Sequence, residues 1–374
     1  MTSKTLLCAA GAVACVASAA SAQFFHDRHL VITQLGDGAA ALTNAANQNT
    51  LREYTRDGLA TGVSLTLGTA TAGARLTNSG SATSEGFITG SAGSGRFLTV
   101  AGYDAAAGTA AVSGTANAAV DGSGPTRRVV SRIDTWTGAV DYSGYGQTFS
   151  ANNARSSAFD ESTSTVFLSG AGTPGGVRSG ALGGGTSTNA LTSNLSNTRV
   201  VNLFNGQIVA SSASGAFLGL SVVAGGTATL IVSTGTGSSV YDFVFADTRT
   251  VYMADDRTTA LGGLLKYTRT GGDDADVATG AWASAAAFNL TGAATAFAGL
   301  RGLAGETIAG VTTLYGISTD NRLVTITDTG ISSAFSVLAT APTNTAWRGV
   351  ELVPTPGSAL LLGMGIIASG RRRR

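Results

Sequence analysis

The chain has 374 residues, of which 43% are hydrophobic and only 12% charged, and its formal net charge is +1. That balance excludes intrinsic disorder, which needs low hydropathy and high charge, and leaves no broad basic face for nucleic acid. Glycine at 52 beside proline at 5 excludes collagen, whose triple helix needs glycine at every third position and abundant proline.

Residues 1–22, MTSKTLLCAAGAVACVASAASA, place Lys4 before an uncharged apolar run that ends in Ala20-Ser21-Ala22. This is the order of a secretory signal helix with an A-x-A site, so cleavage by signal peptidase is expected between Ala22 and Gln23. Both cysteines, Cys8 and Cys15, fall inside that leader. The exported chain then has no thiol for disulfides, thiol catalysis or Cys-ligated metal. His26 and His29 come next and are the only histidines. Their spacing alone shows neither the helix nor the further ligands of a metal site, so the segment reads as an exposed polar arm, with no metal and no cofactor expected.

From 23 to 352 the chain is a succession of short β-like runs ended by Gly, Asn, Asp or Ser. HLVITQLGDG from His29, RFLTVAGYD from Arg96, RVVSRIDTWTG from Arg128, STVFLSGAG from Ser164, TVYMADD from Thr250 and RLVTITDTG from Arg322 are examples. Val, Ile, Thr, Phe and Tyr suit a pleated half-buried surface, and no long helical period interrupts them. VVNLFNGQIVASS sets Asn205-Gly206 between two apolar runs, which is the strongest hairpin signal in the chain. Similar strand–acidic turn–strand units recur at SAFDESTSTVFLSG, FVFADTRTVYMADD and GLAGETIAGVTTLYGIST. Their spacing fits four-stranded propeller blades, about six or seven in a body of this length. The fold class expected is all-β and propeller-like, with a β-sandwich pair or a β-solenoid as competitors. WRGVELVP, from Trp347, is strand-like; pairing it with the first strand would close the ring and remove exposed edges.

Chemistry is harder to find. No G-x-S-x-G elbow and no P-loop is present. Lys266 is the sole lysine after the leader and reads as a surface residue. Glu85, Asp104, Asp134, Asp160, Asp247, Asp255, Asp256, Asp273, Asp274, Asp276 and Asp320 fall mainly in turns, where Asp bonds its own backbone without any further role. A pair of them across a cleft could run glycoside hydrolysis. The loop TGGDDADVATG from Thr270 could hold a calcium ion but lacks the EF-hand spacing, and a solvated loop is the simpler reading. No catalytic residue is nominated. The expectation is a non-catalytic binding module for extracellular polysaccharide or a surface partner, with a polysaccharide-active hydrolase using paired carboxylates, or a structural matrix component, as the alternatives.

The chain finishes with Val353-Pro354-Thr355-Pro356, an apolar run from Ser358 to Ser369, and Arg371, Arg372, Arg373 and Arg374. The run is about a dozen residues, against roughly twenty needed to cross a bilayer, so membrane association would be transient, with the arginines on the cytoplasmic side. The order Pro-x-Pro, short apolar helix, Arg cluster over 353–374 resembles the PEP-CTERM sorting tail, with Thr355 where glutamate is usual. That resemblance implies an exosortase-like processing enzyme as partner and a destination at the cell surface or in the extracellular matrix. LVITQLGDG, LREYTRDG, TSEGFITGSAGSGRFLTVAGYD and ANNARSSAFD also resemble exported proteins of planctomycete-like bacteria, a similarity that brings no activity with it.

Overall fold

The computed structural model describes residues 23–117, 126–172, 175–185 and 187–354. Ala20, Ala22, Thr355, Pro356 and Arg371 to Arg374, and with them both expected terminal helices, lie outside the described residues. Among the described residues the helical elements are short 3-10 turns, Val112–Gly114 and Gly215–Phe217, and no helix is long and apolar enough to cross a membrane.

The strands form six antiparallel four-stranded blades. Blade one takes Leu30–Leu35, Ala46–Tyr54 and Ala60–Thr66 from one end of the body and Ala346–Leu352 from the other. Blade two runs from Ile88–Gly90 through Phe97–Tyr103 and Arg128–Asp134 to Val140–Tyr145. Blades three to six are strand quartets within 154–190, 201–233, 240–288 and 300–340. A short extra strand, Thr77–Ser79, bridges blades one and two. In blades two to six the first strand is innermost, and in blade one it is Ala346–Leu352.

Six apolar clusters show why the ring closes. Each lies between successive blades: Val31 and Leu51 with Leu98 and Val129, Val130 with Val166 and Leu168, Phe167 with Val201 and Ala210, Val209 with Val251 and Met253, Tyr252 with Leu314 and Val324, Tyr315 and Ile317 with Ile32 and Trp347. Both faces of every blade are therefore covered, which is why so many strands read as nearly continuous small and apolar runs. The expected closure is present. Leu30 pairs with Leu352 and Leu35 with Ala346, and Val353, the first residue of the expected tail, is buried with its carbonyl accepting from the Arg28 N–H at 2.8 Å.

The Asn205-Gly206 hairpin forms as its residues predict. Phe204 pairs with Gln207 across a two-residue loop whose φ values are 51° at Asn205 and 75° at Gly206, the doubly left-handed backbone of a type I′ turn. A Cβ at Gly206 would meet open space, so a substitution there is felt through backbone strain alone. Gly206→Val is expected to lower stability by about 1–2 kcal/mol, read from the urea midpoint at unchanged slope.

Candidate active site in the central channel

Five of the six innermost strands contribute to a cavity of about 160 Å³ on the ring axis. Its wall includes Thr89, Asn202, Phe204, Asp242, Phe245 and Glu351. The aromatic part is built by neighbouring blades: Phe204 stacks on Phe245 at 4.3 Å and 12°, and Phe243 meets Phe245 edge-on at 6.0 Å. Offset rings of this kind make a flat apolar platform.

Asp242 and Glu351 are the chemically distinctive part of the wall. Asp242, 3% exposed, accepts the Phe243 N–H at 2.9 Å and the Leu303 N–H at 3.0 Å. Burial nevertheless pushes its carboxyl well above the ordinary range, these two bonds opposing and the nearby Glu351 reinforcing the shift. Burial likewise pushes Glu351 up to about 7, against the N–H groups of Leu352 and Gly90 that it accepts at 3.1 and 3.0 Å. Among the described residues no Arg, Lys or His belongs to this wall. Two carboxyl groups thus share a cavity without a counter-cation, so the first charge to form disfavours the second.

Closer to the start of the inner strands the axis is filled. Phe87, leading into blade two, and Tyr241 of blade five meet with ring centroids 5.8 Å apart. Arg199 lies over Tyr241 at 4.4 Å and donates to its hydroxyl at 2.9 Å; Arg301 lies over the same ring at 5.8 Å. Arg348, buried, is pushed down to about 10 by its burial and then by Arg301. Arg301 and Arg348 also line an outer cavity of about 300 Å³ with Thr319, Asn321 and Asn344.

The turn carboxylates behave as turn chemistry and ion pairing predict. Asp160 accepts from Ser162 and Thr163, and Asp247 from the Arg249 N–H. Asp104 pairs with Arg75, Asp134 with Arg96, Asp255 with Arg257, Asp256 with Arg301 and Asp320 with Arg322. Glu85 is the exception: it is buried and accepts from Tyr103, Asn153 and Ser79, and burial raises its pKa. The loop considered for calcium is organised by a cation of its own, since Arg269 donates to the carbonyls of Asp273, Asp276 and Thr279 and to the Asp274 carboxylate. Lys266, expected on the surface, is partly buried instead and reaches Asp328 at 2.5 Å, where Tyr252 also donates.

Asp242 and Glu351 were not among the sequence candidates. Both stand inside strands, in VYDFVFAD and WRGVEL, where a lone polar residue ordinarily marks the solvated face. The available signal was their company: Asp242 is followed by the apolar run Phe243 to Ala246, and Glu351 stands between Val350 and Leu352.

No protein-family model and no curated protein sequence matches the chain. Among solved structures it is similar to the periplasmic gluconolactonase PpgL of Pseudomonas aeruginosa, at 14% identity over 84% of this chain and 82% of that one, TM-score 0.45. It is also similar to a Bacteroides fragilis protein assigned as a 6-phosphogluconolactonase, at 9% identity over 87% and 98%, TM-score 0.46. A third is an Aleuria aurantia lectin, at 10% identity over 84% and 79%, TM-score 0.32. The expectation of a protein without catalysis is corrected at this point. Enzymes stand among the similar structures, and in the channel the inner strands bring together two carboxyl groups that lie far apart in sequence.

Proposed function

We propose that the protein is a hydrolase that opens a small, uncharged, sugar-derived lactone in the central channel. The observation that carries this reading is the pair of carboxyl groups, Asp242 buried and Glu351 half-buried, in one cavity without a cation. Near neutral pH Glu351 loses its proton while its charge helps Asp242 keep its own, which divides the two into base and acid. Glu351 takes a proton from water as the oxygen adds to the lactone carbonyl carbon. Asp242 then protonates the ring oxygen as the ring C–O bond breaks, leaving a hydroxy acid.

Size and charge narrow the substrate. At about 160 Å³ the cavity is below the roughly 300–1,000 Å³ of drug-sized ligand sites, which favours a single ring over a polymer segment. Carboxylates without a cation disfavour phosphorylated or acidic substrates. The Phe204–Phe245 platform offers an apolar face for the ring. The product acid ionises beside the Asp242 carboxylate left by that proton transfer, which promotes its release, and the proton held by Glu351 returns the pair to its starting state.

Proton release from a panel of neutral aldonolactones and from phosphorylated lactones, alongside reducing-sugar release from terminal glycosides, tests the proposal. Faster release than the spontaneous rate is expected for the neutral lactones, and none for the other two classes. The pH profile follows from Glu351: kcat/KM is expected to rise tenfold per unit below about 7 and to level above it. A rate that declines through that range removes Glu351 as the base. We also propose that residues 1–22 direct export and that 353–374 sort the protein to the cell surface, which fractionation of a chain lacking 355–374 would test.

A further inference from the structure

The fold brings Glu53 to His26 and His29. The histidines lie on the segment entering Leu30–Leu35, and Glu53 stands in the neighbouring strand Ala46–Tyr54. One nitrogen of each ring and a carboxylate oxygen fall within 4.8 Å of one another. The His26 Nδ1 is 2.9 Å from Glu53 Oε2, and the His29 Nδ1 is 3.4 Å from the same oxygen. Tetrahedral zinc holds its nitrogen and oxygen ligands at about 2.0–2.2 Å, which sets neighbouring ligand atoms roughly 3.3 Å apart.

Three further features suit a bound cation better than a hydrogen-bonded cluster. The Nδ1 of His29 is buried and has no hydrogen-bond partner, a cost that a metal bond would remove. The Glu53 side chain is fully buried and Thr61 Oγ1 donates to its Oε2 at 2.7 Å, the kind of outer contact that orients a ligating carboxylate. His26 is 57% exposed, which leaves room for water at the fourth position.

We propose that His26, His29 and Glu53 form a divalent transition-metal site, with zinc as the fitting ion, that fastens the entering segment to the blade in which the ring closes. Its place supports that role: the His29 carbonyl accepts from Val353 N–H at 2.9 Å and the Val353 carbonyl from Arg28 N–H at 2.8 Å. A metal there stabilises both ends of the body, in a chain with no cysteine from Gln23 onward. The channel carboxylates take no part.

The test uses tag-free protein freed of metal by a chelator and titrated with zinc chloride. One equivalent is expected to bind with a rise in Tm, while magnesium chloride changes neither. Cobalt chloride should give the visible absorption of a four-coordinate site in the unmodified chain, a readout that needs no variant. His29→Ala and Glu53→Gln should each weaken zinc binding more than about a hundredfold, and Thr61→Val about tenfold. Absence of one-equivalent binding, or binding that survives the His26→Ala/His29→Ala pair in folded protein, overturns the site.

Discussion

Glu351→Gln is expected to lower lactone turnover about a hundred- to ten-thousandfold, the range over which a positioned general base acts. The amide keeps the size of the carboxylate, and its single oxygen retains one of the two bonds, which Leu352 and Gly90 make to separate carboxylate oxygens, so the loss should fall chiefly on kcat. Stability should move the other way. The folded pKa of Glu351 is raised from 4.5 to about 7, so its neutral form favours folding below about pH 4.5 and that contribution is lost as pH rises through 7. A shift of this size corresponds to about 3 kcal/mol once both limits are passed. Glu351→Gln, which never ionises, is therefore expected to be more stable than the parent at pH 8 and nearly equal to it at pH 4. Chemical denaturation at the two pH values separates this outcome from simple damage, which would destabilise at both. Asp242→Asn is expected to lower kcat as well, since an amide cannot deliver a proton to the leaving oxygen.

Removal of 346–354 is expected to abolish cooperative folding. That segment supplies the inner strand of blade one, the pairing from Leu30–Leu352 to Leu35–Ala346, and Trp347 and Val350 of the apolar cluster facing blade six. Without it two blades lose a covered face and the first strand exposes an unpaired edge, a route to aggregation. Loss of a sigmoidal unfolding transition, with association seen by light scattering, is the expected result; a monomer with an unchanged Tm would sink the account of closure. Trp347→Ala is the graded version. Trp347 is 2% exposed and packs edge-on against Tyr54 at 5.4 Å, so its truncation should cost about 3–5 kcal/mol in denaturant titration.

The scaffold was largely legible because its signals are local. Asn205-Gly206 needs only its own backbone to announce a hairpin, and the strand-like character of LVITQL and AWRGVEL suggested that the two ends meet. Length and spacing left the blade number at six or seven. The site was not legible, for a reason rooted in the architecture. Inner strands of a ring are covered on both faces, so an acid such as Asp242 looks like any outward-facing strand residue until the other blades are placed. Turn acids such as Asp160 and Asp320 attracted attention because they are numerous, yet they are engaged by their neighbours, Asp160 by Ser162 and Thr163 and Asp320 by Ser318, Arg322 and the Ala293 N–H. The histidines showed the opposite failure. His26 and His29 were conspicuous but lacked a third ligand within reach in sequence, and Glu53 arrives only through strand pairing.

The way Leu30 and Leu352 face each other has a mechanical meaning. Force applied between Arg28 and Val353 would load the last antiparallel hydrogen bonds of the pair one at a time, as a zipper is opened, instead of sharing the load along the strand. The body would part readily if stretched from its two ends. Suspended by either end alone, it would carry no tension across that seam, and its orientation toward whatever holds it would be the same in both cases.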